Sequence, residues 1–180
     1  MSEAVVAKRY ADALFQLGNE QGKIEQLVEE FNVLKEVFES NSKLLTFLKH
    51  PRVNNAEKKQ FVDEVFHDFS SDIVHTLKIL AERHRIEIVP DIIDHFIHSV
   101  NDAKGIAVAT VYSVRELTGA EKQELENTFA KRLNKQTIKL NNIVDPSIVG
   151  GIKLRIGNTI YDGTISGKLK RIERSIVTAN

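Results

Sequence analysis

Between Ile143 and Gly163 the chain reads I-V-D-P-S-I-V-G-G-I-K-L-R-I-G-N-T-I-Y-D-G, and few backbone conformations satisfy that run. Asp145-Pro146-Ser147 is a turn, because proline fixes φ and an aspartate side chain accepts a hydrogen bond from a backbone N–H two residues on. After Gly150-Gly151, Ile152, Leu154 and Ile156 alternate with Lys153 and Arg155. That period of two is what a strand with one buried face requires. Gly157-Asn158 has the composition of a two-residue hairpin turn of type II′. Thr159 to Asp162 is then the returning strand, closed by Asp162-Gly163. The stretch holds no nucleophile, base or metal cluster. It specifies a scaffold, which argues against an enzyme.

The 180 residues allow one sizeable domain or two small ones, and 42% hydrophobic with 28% charged residues is ordinary globular composition. The sequence has no cysteine. Disulfides, thiolate catalysis and zinc–sulfur sites are thereby excluded, and a reducing compartment fits. No apolar run approaches the roughly 18 residues of a membrane helix. The N-terminus is a charged amphipathic segment, so no signal peptide is expected. The net charge is zero but unevenly spread. Residues 1–104 hold 13 Lys/Arg against 18 Asp/Glu, whereas residues 105–180 hold 12 against 7. The two parts therefore suit different partners. A nucleic-acid role for the basic part lacks interleaved aromatics or a recognisable motif.

Residues 4–18 read as a helix, with Ser2 and Glu3 suited to its cap and first turn. At about 100° per residue, Lys8, Arg9, Asp12 and Gln16 share one narrow sector, and apolar residues fill roughly 200°. A helix packing on one core needs little more than about 100°. Two explanations fit. The helix is central and mostly buried, or Val6, Tyr10, Ala13 and Leu17 help line a groove for another helix. Further helices are expected over 23–39, 42–49 (stopped before His50-Pro51), 55–67, 71–83 and from Val89 to near Gly105. The fourth should bury Phe61, Val62, Val65 and Phe66. The fifth should bury Ile73, Val74, Leu77, Leu80 and Ala81, leaving Ile79 on the opposite side among Asp72, His75, Thr76 and Arg83. That stray isoleucine could form the other wall of a groove. Short loops and no strand signal give a bundle of six helices.

Composition shifts at Lys104-Gly105. Ile106 to Val114 alternate as a strand buried on at least one face. Thr118-x-x-Glu121 is a capping box, with Leu117 placed for a hydrophobic staple. Leu125, Phe129 and Leu133 give that helix its buried stripe. Residues 137–144 form a second strand, the hairpin follows, and residues 164–177 form a last helix with Ile165, Leu169, Ile172 and Ile176 on one face. The fold class is α+β: an all-α six-helix bundle over 1–104, then a small α/β module with a mixed sheet and two helices over 105–180.

Candidate chemistry is thin. Asp91, Asp94, His95 and His98 share helical spacings that suit a metal, but no third strong ligand accompanies them, and a solvated helix face explains them. His84, between Arg83 and Arg85, reads as a helix-end cation rather than a base. Ser166-Gly167-Lys168 lacks the glycines of a phosphate loop. Asp145 and Asp162 sit in turns, where local backbone bonding accounts for them. No catalytic residue, cofactor or metal is implied.

Ala7-Lys8-Arg9-Tyr10-Ala11-Asp12-Ala13-Leu14-Phe15, Leu80-Ala81-Glu82-Arg83-His84-Arg85 before Pro90, Leu117-Thr118, and Val144 to Ile152 through Arg155-Ile156-Gly157 to Tyr161-Asp162-Gly163 occur in this order along the whole chain. In these motifs the sequence resembles the δ subunits of bacterial F-type ATP synthases, related to the mitochondrial oligomycin-sensitivity-conferring protein. The resemblance implies a non-catalytic stator subunit of a proton-translocating enzyme, peripheral to the cytoplasmic face of a bacterial cell membrane. It implies that the helical bundle grips the N-terminal helix of an α subunit between its first and fifth helices. The C-terminal module would engage the peripheral-stalk b subunits. Carried onto this sequence, the groove would use Val6, Tyr10, Ala13 and Leu17 with Thr76, Ile79 and Arg83. A generic helical adaptor and, less favoured, a nucleic-acid binder are the alternatives.

Overall fold

The computed structural model describes residues 3–50 and 52–178. The expected cap at Ser2 and the helix stop at Pro51 lie outside them. The chain divides into two compact units, Met1–Val100 and Asn101–Asn180. Composition shifts four residues later, at 104/105, because α6 runs on to Ala103.

The first unit is helical: α1 (Glu3–Gln21), α2 (Ile24–Ser40), α3 (Ser42–Lys49), α4 (Asn55–Val65), α5 (Ser71–Glu82), a 3-10 turn (Ile86–Ile88) and α6 (Val89–Ala103). Their stripes converge on one core. On α2, Leu27, Phe31, Leu34 and Phe38 recur at helical spacing and all are buried. Phe31 meets Phe96 of α6 edge-on at 4.7 Å between ring centroids, a favourable arrangement of the two quadrupoles. Gly18 lets α1 and α2 approach, since a Cβ there would stand 2.8 Å from Leu27 Cδ1. α4 opens on a capping box that sequence reading passed over. The Glu57 N–H donates to Asn54 Oδ1 at 2.8 Å and the Asn54 N–H donates to Glu57 Oε2 at 3.3 Å. α5 ends in a Schellman turn around His84, whose φ is +55°. The Arg85 N–H bonds to Leu80 O and the His84 N–H to Ala81 O. His84 thus serves in a left-handed backbone position.

Two packing expectations need correction. Val65 is 45% exposed, while Lys58 is fully buried. The inward row of α4 is Lys58, Val62 and Phe66 at four-residue steps, and Val65 lies about 100° round from Phe66. Ile79 is half-buried rather than stranded in solvent.

The second unit holds β1 (Ile106–Ser113), α7 (Gly119–Leu133), β2 (Thr137–Val144), β3 (Ile152–Ile156), β4 (Thr159–Asp162) and α8 (Ile165–Thr178). The sheet order is β2-β1-β3-β4. β1 and β2 are parallel, with α7 as the crossover, and the other pairs are antiparallel. Register puts Ala107, Ala109 and Val111 on one face with Ile138, Leu140, Leu154 and Ile156. That face carries the core under Leu125, Phe129 and Leu133 of α7. In β1 the small residues are thus the buried ones, and Val108 on the other face is 51% exposed. Large side chains would hold α7 too far from the sheet. Position N4 of α7 is Lys122, so Leu117 forms no staple across the cap; it joins the core under α7 instead.

The hairpin forms with the expected two-residue turn. Gly157 has φ of +55° while Asn158 does not enter the positive region, which is the type II′ pattern. Gly151 (φ +82°) is required where β3 meets the start of α8, because a Cβ there would lie 2.5 Å from Gly163 O.

Two tests follow from these contacts. The Lys58 ammonium has no hydrogen-bond partner although it is buried. Lys58→Met keeps the volume and removes that penalty, so it should raise the stability of the helical unit by about 1 kcal/mol or more in urea unfolding. Lower stability would contradict this account. Second, Arg115 grips Glu121 with two N–H groups, at 2.8 and 3.0 Å. This fork, with the Thr118 bonds, lowers the Glu121 carboxyl to about 2. A carboxyl depressed on folding stabilises above its unfolded pKa, and that contribution fades as pH falls toward the folded value. Glu121→Gln should therefore unfold at a lower temperature than the parent at pH 7, with the gap closing between about pH 5 and 2. A gap independent of pH would show that the charge is not responsible.

Candidate partner-binding surfaces

The residues singled out on α1 and α5 do gather at the surface, but in two places. Val6, Tyr10 and Ala13 of α1 and Arg83, just past α5, line an open cavity of about 400 Å³ together with Arg9 and Arg85. Leu17 and Thr76 line a second, of about 720 Å³, between α1 and the outer side of α4 and α5. Ile79 lines neither. Within the first helix Val6 is buried, Tyr10 and Leu17 are half-buried, and Ala13 is exposed. The wide apolar arc of α1 is therefore used on two sides. Ala7, Ala11 and Leu14 face the core, while Tyr10 and Ala13 sit at the cavity wall.

Local backbone structure places the charges of the first cavity. The left-handed His84 reverses the chain right after α5, so Arg83 and Arg85 both reach the cavity on either side of it. Arg9 comes from α1, one residue before Tyr10. Among the described residues, the lining therefore combines apolar surface with three guanidinium groups and no carboxylate. An occupant needs an apolar face and an acidic or carbonyl-rich end. Arg9 belongs to the charged sector of α1 and is exposed, and Arg85 belongs to the Arg83-His84-Arg85 motif. The signal available was the Arg83-His84-Arg85 cluster itself.

The second cavity is lined by acids and histidines as well as apolar groups, with Asp63, Asp72, His67 and His75 beside Leu14, Leu17 and Val74. Thr76 Oγ1 donates to Asp72 O at 2.7 Å, so its hydroxyl is satisfied within α5. Lys78 of the same wall pairs with Asp63 at 2.5 Å.

Three further sequence candidates, Asp94, Asp145 and Asp162, have structural roles. Asp94 accepts from Lys35 Nζ at 2.6 Å, tying α6 to α2. Among the described residues, no group of three or more His, Asp or Glu side chains comes together to hold a metal. Asp145 Oδ1 accepts from the N–H and hydroxyl of Ser147, at 3.0 and 2.6 Å. Asp162 Oδ1 accepts from the N–H and hydroxyl of Thr164, at 2.9 and 2.7 Å. These bonds to the charged form hold both carboxyls below their ordinary range. Both aspartates brace turns. A polar knot at the end of the sheet was not foreseen: Asn142 donates to Ser113 Oγ at 2.8 Å and accepts from the Leu117 N–H at 2.7 Å.

The C-terminal unit leaves apolar surface exposed on its sheet and on α8. On the sheet face away from α7, Val108, Ile143 and Ile160 are 42–54% exposed. On α8, Ile165, Leu169, Ile172 and Ile176 are all exposed. Among the described residues, no helix is long and apolar enough to cross a membrane.

Comparison with known proteins gives these surfaces a context. The family model described as ATP synthase delta (OSCP) subunit matches residues 6–176. ATP synthase subunit delta of Oceanobacillus iheyensis is 55% identical over 180 residues, covering 100% of this chain and 99% of that protein. The Bacillus subtilis protein of the same name is 43% identical over 180 residues, with the same coverage. A chain in the cryo-EM structure of the Toxoplasma gondii mitochondrial ATP synthase hexamer superposes with a TM-score of 0.72 at 17% identity, covering 95% of this chain and 97% of that one. That likeness concerns the fold. With a family model spanning nearly its whole length, and relatives this similar end to end, the chain belongs to the ATP synthase delta (OSCP) subunit family.

Proposed function

We propose that this chain is a non-catalytic stator subunit of a proton-translocating F-type ATP synthase. It holds the catalytic head against the torque of the turning rotor. Residues 1–104 grip the N-terminal helix of an α subunit, and residues 105–180 hold the peripheral-stalk b subunits. The chain lies at the cytoplasmic face of a bacterial cell membrane through the complex it belongs to.

The observation that carries the head-binding half is the cavity between α1 and the end of α5, where Val6, Tyr10 and Ala13 meet Arg9, Arg83 and Arg85. It suits helix-in-groove recognition, in which an amphipathic helix buries its apolar face and its charged flank meets the arginines. Leu17 and Thr76 extend the same side of α1 and α5. Ile79 is half-buried on the same side of α5 as Thr76 and Arg83, and it lines neither cavity. The basic balance of the C-terminal part suits long acidic stalk helices.

Titration of the full chain with a synthetic peptide of the α-subunit N-terminus tests the head-binding half. Ala13 is exposed and Arg83 lies beyond the last turn of α5, so Ala13→Asp and Arg83→Glu should leave the circular dichroism intact. Each should weaken the peptide at least about tenfold. Parental affinity in both variants would remove the groove assignment. A generic adaptor would not bind the peptide at all, and a nucleic-acid binder would be retained on nucleic acid in a salt-dependent way.

The division of labour has its own test. A chain ending at Lys104 should keep its affinity for the peptide and lose binding to the soluble part of the b subunits. Stalk binding by the shortened chain would refute the division.

A further inference from the structure

Arg9, Arg83 and Arg85 bring three guanidinium groups to the lining of one cavity of about 400 Å³. Each keeps its charge at any physiological pH, so the cluster calls for an anion. The carboxylates nearest in sequence are engaged elsewhere. Glu82, next to Arg83, pairs with Lys59 of α4 at 2.9 Å, and Glu87, two residues after Arg85, pairs with Lys49 of α3. Asp12, one turn along α1 from Arg9, lies off the lining. The nearest acids are thus matched with lysines, and the planar, forked cations stay on the cavity.

The backbone sets where these cations start. Arg83 and Arg85 flank the left-handed His84, and the Arg85 N–H is tied to Leu80 O at 2.8 Å. Arg9 precedes Tyr10, whose ring packs against the helical core. Val6, which is buried, and Ala13, which ends at its Cβ, make the rest of the wall apolar. The volume falls in the range of roughly 300–1,000 Å³ typical of small-molecule sites, which likewise set a few polar groups in apolar walls. The end of a docked helix offers such a cluster about half a negative charge and a few side-chain carboxylates. Two linked phosphoryl groups offer more charge and more oxygens in less space. Their geometry suits guanidinium forks, each of which can donate two N–H groups to one phosphate.

We propose that this cavity is also a diphosphate site. Two linked phosphoryl groups, free as pyrophosphate or carried by a nucleoside diphosphate, are held by Arg9, Arg83 and Arg85 against the wall that Tyr10 provides. The same residues line the groove for the α-subunit helix, so the anion and the helix exclude each other. Diphosphate then loosens the grip on the head, and a seated helix shuts the anion out. The anion site stands on its own geometry, whereas the competition rests on the head-binding reading above. A phospholipid headgroup shares the phosphoryl chemistry, and vesicles distinguish that source.

The test is calorimetric titration of the full chain at about 150 mM salt, where weak surface attraction is largely screened. Pyrophosphate and adenosine diphosphate should each bind with a Kd below about 1 mM, and adenosine should not bind. Arg9→Gln and Arg85→Gln should each weaken pyrophosphate at least about tenfold, as expected for loss of a charge-assisted bond. Lys170→Gln, at an exposed cation of α8, should change it by less than about twofold. All three variants should keep the parental circular dichroism. Pyrophosphate at about ten times its Kd should lower the apparent affinity for the α-subunit peptide about tenfold. A parental Kd above about 1 mM, or parental affinity in both arginine variants, overturns the anion site and leaves the head-binding reading standing. Adenosine binding as tightly as adenosine diphosphate, or binding only to vesicles containing phosphatidylglycerol, overturns it too. Pyrophosphate that binds without changing peptide affinity overturns the competition. A peptide that fails to bind the parent ends the head-binding reading and the competition with it, and the direct titration still decides the anion site.

Discussion

Burial of apolar surface is the constraint on which this structure turns, and both units meet it incompletely. In the helical unit, one core built around Phe31 and Phe96 takes a stripe from every helix. α1 has more apolar surface than that core accepts. Ala7, Ala11 and Leu14 go inward, and Tyr10 and Ala13 remain at an open cavity. In the second unit α7 closes one face of the sheet, and the aliphatic row of α8 is left exposed. At roughly 25 cal/mol per Å² of apolar surface, such exposure stabilises nothing in the isolated chain and becomes useful only when a partner covers it.

The two surfaces differ in kind, and that difference suits a mechanical linker. The α1–α5 cavity is concave, small and lined by three arginines, which suits the end of one helix with a defined charge pattern. The exposed surface of α8 is a row of aliphatics that follows the helix axis. Each is held by a local device that fixes backbone direction: the left-handed His84 after α5, and the Asp162–Thr164–Gly167 cluster at the start of α8. A load-transmitting subunit gains from such pre-organisation, because little entropy is lost when the partner docks.

Much of this was legible in the sequence where local chemistry decides the outcome. The Thr118–Glu121 capping box, the Gly157-Asn158 turn and the Asp145 and Asp162 turns need only neighbours in sequence, and each appears as expected. What periodicity missed depends on tertiary contact. Hydropathy puts Lys58 outside and Val65 inside, and packing of the Lys58–Val62–Phe66 row reverses both. β1 alternates apolar residues on both faces, so only the position of α7 decides that the alanines are the buried set. Of the candidate surfaces, the excess apolar arc of α1 was readable from periodicity, whereas Arg83 enters only through the family resemblance; the structure places Val6, Tyr10, Ala13 and Arg83 on one cavity. Ile79 lines neither cavity, and Arg9 and Arg85 line the first, because the chain reverses at His84, which a helical wheel cannot show.

The central claim is that one chain carries two separate partner surfaces, one in each unit. The most direct measurement is calorimetric titration of the full chain with the α-subunit N-terminal peptide, alone and with the stalk segment already bound at saturation. The account predicts one peptide per chain in both titrations, with affinities agreeing within about threefold. Displacement of the stalk segment by the peptide, or loss of peptide binding once the stalk is bound, would contradict it.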